Sequence, residues 1–257
     1  MKLIKSLRHI INYKTFIVTA LAIIATTICH RYDYVADLPL TLIGIAIVFP
    51  IVFAINSAYD RREQALHHLA DFKSHSVAIV YAARDWGQDG SGNLMLEIKD
   101  CLIKLFIALQ NKLLTKKIQT DIESERPVFD EFSKLSVNIQ KFKALDLSPG
   151  ELARVNQYLS KMMIDYENLK IIYNYRTPIT LRAYSKIFLH VFPIIYAPYF
   201  AFIAQEFPVG LGYMLPVLFS FVLVSLDNIQ VHLENPFDQI GEDDIRLDEE
   251  EFIKLLN

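Results

Sequence analysis

Residues whose types could do chemistry are few, and most fail on spacing. His67, Asp71 and His75 recur at i, i+4 and i+8 on a helical stretch. Their side chains suit a metal, but three ligands spread over two turns rarely close a compact site, so no metal is expected there. Asp89-Gly90-Ser91-Gly92-Asn93 reads as a turn, since no strand precedes it to make a phosphate loop. Ser-His-Asp and Cys-His arrangements are absent, and no enzymatic activity is expected. Glu242, Asp243 and Asp244 form a short carboxylate run near the end of the chain. Its plainest reading is a solvated acidic loop before a last helix over Asp248 to Leu256. Ile45, Phe49 and Phe53 also recur at i, i+4 and i+8 and share a helix face. On a lone helix such a stripe faces lipid or a core. Asn56, Ser57 and Tyr59 follow it, then Asp60, Arg61 and Arg62. These polar residues either line an opening or hydrogen-bond to neighbouring helices.

The elements that carry these residues follow from hydropathy. The chain has 257 residues, 53% of them hydrophobic, and a net charge of -3. Apolar residues pile up towards both ends, while the middle is charged and amphipathic. No basic stripe stands out, which excludes nucleic acid as a main partner. Cys29 and Cys101 are expected to be free and buried, with no metal spacing between them.

Four apolar segments are long enough, or nearly so, to cross a bilayer: 10–30, 38–59, 187–205 and 207–227. In lipid a backbone must satisfy its own hydrogen bonds, so helix is the reading for each. Lys2, Lys5, Arg8 and Lys14 precede the first, but no small-x-small cleavage site follows it. It is read as a retained membrane helix rather than a signal peptide. Lys and Arg flank the first segment on its N-terminal side, the second at Arg61 and Arg62, and the third at Arg176, Arg182 and Lys186. The positive-inside rule then places both termini and the middle in the cytoplasm of a multi-pass plasma-membrane protein.

The cytoplasmic part, 60–186, reads as amphipathic helices. Leu94, Ile98, Cys101, Leu105 and Leu109 keep helical spacing, as do Val128, Phe132, Leu135, Ile139 and Phe142. Leu152, Val155, Leu159, Met162, Tyr166, Leu169 and Tyr173 continue the pattern over three heptads. Breaks are expected at Gly87 to Asn93, at Arg126-Pro127 and at Ser148-Pro149-Gly150. Asp146-x-Ser148 with Glu151 three residues on marks a helix start. A C-terminal cytoplasmic segment, 228–257, completes the chain.

Two stretches carry a resemblance. One is Leu42-Ile43-Gly44-Ile45-Ala46-Ile47 running into Asn56-Ser57-Ala58-Tyr59-Asp60-Arg61; the other is Leu233-Glu234-Asn235-Pro236-Phe237 before the acidic run. Together they resemble the bestrophin family of ion channels. Thr177-Pro178 and Leu226-Asp227 also look family-like. The resemblance implies an all-α homopentamer around one central pore, with four transmembrane helices per subunit continuous with a cytoplasmic helical bundle, the whole chain forming a single channel domain.

By the same resemblance Ile45, Phe49 and Phe53 form the apolar neck of the pore. Apolar rings can gate by dewetting. A phenylalanine edge suits an anion and its face a cation. Pro50 removes the helical bond to Ala46 and bears on the neck's geometry. Leu152 is the best match to a second, cytoplasmic aperture. In animal bestrophins the stretch matching Asn235 and the acids Glu242, Asp243 and Asp244 clasps calcium. Here Asp238-Gln239-Ile240 intervenes and the acidic run is shorter, so the solvated loop is preferred and no cofactor is expected. The implied function is passive conduction of small monovalent ions, chloride by family expectation. The alternatives are a cation-selective bacterial homologue, a non-conducting membrane scaffold and a transporter. The expected partners are the lipid bilayer, further copies of the chain and the permeant ions.

Overall fold

The structure, a computed structural model, describes residues 11–86, 92–115, 122–145, 147–176, 178–207, 210–240 and 244–257. Nine α-helices and no strand occur among the described residues: α1 (Tyr13–Arg31), α2 (Leu40–Asp85), α3 (Gly92–Leu113), α4 (Ile122–Gln140), α5 (Pro149–Asn174), α6 (Ile179–Ile195), α7 (Ala197–Glu206), α8 (Met214–Glu234) and α9 (Glu249–Leu256). They form two compact units. The first comprises Met1–Asp60, Thr177–Asn235 and Ile240–Asp243; the second comprises Arg61–Arg176, Pro236–Gln239 and Asp244–Asn257. The boundary at Asp60 falls where the apolar second segment meets its first charges.

In the first unit α1 packs on α6, α7 and α8. Its start is fixed by Asn12, whose Oδ1 accepts from the Lys14 amide at 3.0 Å while its own Nδ2 donates to Asn228 Oδ1 at 2.8 Å. The core joins Val18, Ile47, Ile51, Leu189, Phe192, Tyr196, Phe200, Leu223 and Val224. Two helical stretches are long and apolar enough to cross a membrane, Tyr13–Arg31 and Leu211–Glu234. A third counts if the bent pair that ends in α6 and α7, with its 44° bend, is taken as one span.

That bend corrects the expectation of one continuous helix over 187–205. Pro198 sits at the start of α7, where it has no amide to donate to the Ile194 carbonyl, and its ring crowds the preceding turn. The Tyr196 amide closes the last turn of α6 on the Phe192 carbonyl, and the Phe200 amide opens the next on Tyr196. The fourth segment also shifts: α8 begins at Met214 rather than 207 and runs on to Glu234. Gly210 holds φ at +100°, and Gly212 lies so close to α7 that a Cβ would stand 2.3 Å from Ala204 Cα. This turn has to finish before the helix can start. Its extension past 227 buries polar residues that hydropathy alone would leave out, Asn228, Gln230 and Glu234, next to the buried Asp227 at the predicted end. Arg182 Nη1 pairs with Glu234 Oε2 at 3.3 Å.

The second unit is an amphipathic bundle. Every periodic residue predicted on α3 and α4 is buried, together with Phe142 of the 3₁₀ turn Lys141–Leu145. On α5, Val155, Leu159, Met162, Tyr166, Leu169 and Tyr173 are buried and Leu152 packs half-buried against the same core. Each fully buried large apolar side chain is worth about 1.5–3 kcal/mol. α5 begins as expected: Ser148 caps it, with the Glu151 carboxylate accepting from the Ser148 amide at 2.8 Å. The expected break at Arg126-Pro127 is not there. Pro127 lies inside α4, in its second turn, where it forfeits only the bond to the Glu123 carbonyl. Gly87 to Ser91 and Asp146 lie outside the described residues. Both cysteines are free, Cys101 buried and Cys29 half-buried. Burial pushes the Cys101 thiol up to about 11, so it is inert near neutral pH. α9 is capped by Asp248, which accepts from the Glu251 amide at 3.2 Å, and docks Phe252 against Phe106 with ring centroids 4.3 Å apart.

The close approach at Gly212 is directly testable. Gly212→Ala should lower stability by about 1–3 kcal/mol, read as a lower midpoint in thermal unfolding of the detergent-purified protein.

Candidate functional site

The N-terminal half of α2 has two opposite faces. At about 100° per residue, Ile47, Ile51, Ala54 and Ala58 fall within an arc of about 60°, and all four are buried. Two branched and two small side chains let this face approach its neighbours closely. Ile45, Phe49 and Phe53 lie on the other side, within an arc of about 80°. They are 57%, 59% and 56% exposed in the single chain. Val48 and Val52 flank them and are also exposed. An apolar patch of this extent on a helix needs lipid or protein to cover it.

Phe49 and Phe53 form an edge-to-face pair, with centroids 4.6 Å apart and planes at 85°. The edge of one ring meets the face of the other, an arrangement favoured by the aromatic quadrupole. Pro50 sits within α2 without ending it. An apolar groove of about 410 Å³ runs along this face, lined by Thr41, Gly44, Ile45, Val48, Phe49 and Phe219.

The same arc turns polar further along the helix. Asn56 and Asp60 fall between Ile45 and Phe53 in angular position, with Ser57 and Tyr59 on its two flanks. All four are exposed. The spacing of the apolar stripe was legible in the sequence. Sequence reasoning named Asp60 among the polar residues after the stripe but did not place it on the same arc, although the step of three from Phe53 to Asn56 and of four on to Asp60 carries the signal. Arg61 does something else. Its Nη2 donates to the Ile172 carbonyl at 2.7 Å and to the Tyr175 carbonyl, satisfying oxygens left over at the end of α5. Arg62 pairs with Glu63 Oε1 at 2.7 Å.

The other predicted residues lie elsewhere. Leu152 is in the first turn of α5, and its carbonyl accepts from Asn156 Nδ2 at 3.0 Å. Asn235 is half-buried at the end of α8, and Asp244 is half-buried. Glu242 and Asp243 lie outside the described residues, as does Thr177. The loop after Pro236 is fixed by its own bonds: the Ile245 amide donates to the Pro236 carbonyl at 2.8 Å, and Gln239 Nε2 to the Ile245 carbonyl at 2.8 Å. Phe237 is fully buried in the second unit's core. His67 is exposed on α2; the residues that meet are His68, Asp71, His75 and Asp165.

No family profile matches the sequence, and no curated protein does. Solved structures do. The chain superposes on a variant of a bacterial bestrophin homologue from Klebsiella pneumoniae with a TM-score of 0.77, covering 95% of this chain and 96% of that one at 15% identity. A second variant of that homologue gives 0.77 over 95% and 98% at 16% identity. A crystal structure described only as a membrane protein gives 0.75 over 95% and 96% at 15% identity. The chain has the bestrophin fold. Coverage of both chains is nearly complete, so the bestrophin fold accounts for the apolar helices and the amphipathic bundle alike.

Arg61 separates structural from lining roles. Arg61→Met should cost about 1–3 kcal/mol through the lost charged hydrogen bonds at the end of α5. Chemical denaturation of the purified protein reads this directly.

Proposed function

We propose that this chain is a bestrophin-like channel that passes small monovalent ions through a central pore built by five copies. The observation that carries this reading is the open Ile45, Phe49 and Phe53 stripe. It lies on a helix whose opposite face is packed, in a chain with the bestrophin fold. Copies arranged around an axis would turn the stripe into stacked apolar rings, a throat that closes by expelling water. In this reading the four spans are α1, the N-terminal half of α2, the α6–α7 pair and α8. Both termini and the second unit are cytoplasmic. Leu152 is the candidate for a second, cytoplasmic aperture. Asn56, Ser57 and Tyr59 stand at the mouth. The loop bearing Asn235 and Asp244 is an acidic turn, and conduction needs no calcium or other cofactor.

Chloride is the first candidate for the permeant ion, in keeping with the resemblance. Edges of Phe49 and Phe53 turned to the axis would present positive potential to an anion. A second reading has a specific observation behind it. Asp60 is exposed on the same arc as the neck, and a ring of carboxylates at a pore mouth favours cations.

The reversal potential of the purified protein in planar bilayers under a potassium chloride gradient tests both. A value near the chloride equilibrium potential supports the anion channel; one near the potassium potential supports the cation reading. Replacing Ile45, Phe49 and Phe53 together by alanine should raise conductance or abolish gating. Silence from parent and triple variant alike would leave a non-conducting scaffold as the better account. Asp60→Asn should move the reversal potential towards chloride if Asp60 faces the conduction path, and leave it unchanged if it does not.

A further inference from the structure

We propose that His68, Asp71 and Asp165 form a binding site for a divalent transition metal, with zinc the best fit. His68 and Asp71 are i and i+3 on α2, and Asp165 projects from α5 within the same unit. One ligand atom from each lies within 4.8 Å of the others. The site is built around a buried carboxylate: the Asp165 side chain is 8% exposed, on a helix face that otherwise buries Met162, Tyr166 and Leu169. A carboxylate in such surroundings is costly unless its oxygens are paired. Its two oxygens meet different partners. Oδ2 lies 3.0 Å from His75 Nδ1, a hydrogen bond that the ionised carboxylate can only accept. Oδ1 lies 3.5 Å from His68 Nδ1, which is itself buried and makes no hydrogen bond.

An unbonded buried imidazole nitrogen facing a carboxylate oxygen, with a second carboxylate one turn away, leaves room for a cation between them. The donor set selects among cations. Two carboxylates neutralise a dication. Calcium and magnesium take oxygen ligands, whereas the imidazole nitrogen favours zinc and its first-row neighbours. Three protein ligands with a fourth place for water is an arrangement zinc adopts. Asp71 is exposed and gives the ion a way in. His75 holds the ligand rather than the metal: it fixes Asp165 through the other oxygen, and its ring stacks on Tyr158 with centroids 6.2 Å apart. Such outer partners orient a ligand and tune affinity. A bound ion would tie α2 to α5 and add its binding free energy to this unit's stability. The inference does not depend on the channel reading.

The test uses the full chain in detergent, loaded with zinc chloride and freed of excess by gel filtration. Metal content is then measured by mass spectrometry. One zinc per chain is expected for the parent and for His67→Gln, and none for His68→Gln or Asp71→Asn. Asp71 is exposed, so its variant keeps the test valid if His68→Gln does not fold. His75→Ala should retain the site but bind zinc about 10- to 100-fold more weakly. Zinc should also raise the thermal midpoint of the parent and not that of Asp71→Asn. A parent that holds no zinc would overturn the proposal and leave Asp165 with the His75 hydrogen bond and a nearby His68 alone, as would an Asp71→Asn variant that holds zinc as tightly as the parent.

Discussion

The constraint on which the rest depends is that the first half of α2 must satisfy two opposite faces at once. Ile47, Ile51, Ala54 and Ala58 are buried within the chain, so this side of the helix is fixed by packing. Ile45, Phe49 and Phe53 are then forced outwards, because residues i and i+4 cannot leave the face that 3.6 residues per turn assigns them. Covering that face requires something outside the single chain. The later part of the same helix has no such demand: Ala65, Leu69, Phe72, Ile79 and Val80 enter the core of the second unit together with α3, α4 and α5.

The polar residues of the first unit follow from the same economy. A helix that carries Asn228 and Glu234 inward needs partners for them. Asn12 answers Asn228 while it caps α1, and Arg182 answers Glu234. One asparagine thus fixes both where α1 begins and which turn of α8 it meets. At the far end of α5, Arg61 plays a comparable part by taking up carbonyl oxygens that the helix itself cannot bond. Charges that a topology rule counts as boundary markers are therefore also structural caps.

Periodicity was most reliable where one face meets one core. The heptad-like series on α3, α4 and α5 is buried almost throughout, and Ser148 with Glu151 opens α5 as its capping box predicts. Hydropathy was least reliable at breaks inside apolar sequence. The bend between α6 and α7 and the late start of α8 depend on Pro198, Gly210 and the contact of Gly212 with Ala204, and an apolar window does not register any of them. Pro127 shows the reverse case, a proline read as a boundary that the helix absorbs near its start. The histidines of α2 show how far spacing can mislead. His67, Asp71 and His75 had the eye-catching interval, yet the cluster forms from His68, Asp71 and His75 around Asp165, ninety residues further along from His75.

By itself the sequence determined the all-helical class, the segregation of apolar ends from an amphipathic middle, and the membership of the Ile45, Phe49 and Phe53 stripe. The helical class and the stripe rest on steps of three or four residues, where backbone geometry alone decides which side chains are neighbours, and the segregation rests on hydropathy summed along each segment. Tertiary structure decided which face of α2 is buried, where the apolar segments bend, and which residues meet Asp165. Those outcomes depend on groups far apart in the chain, and on the need of each buried charge or carbonyl for a partner that local spacing does not name.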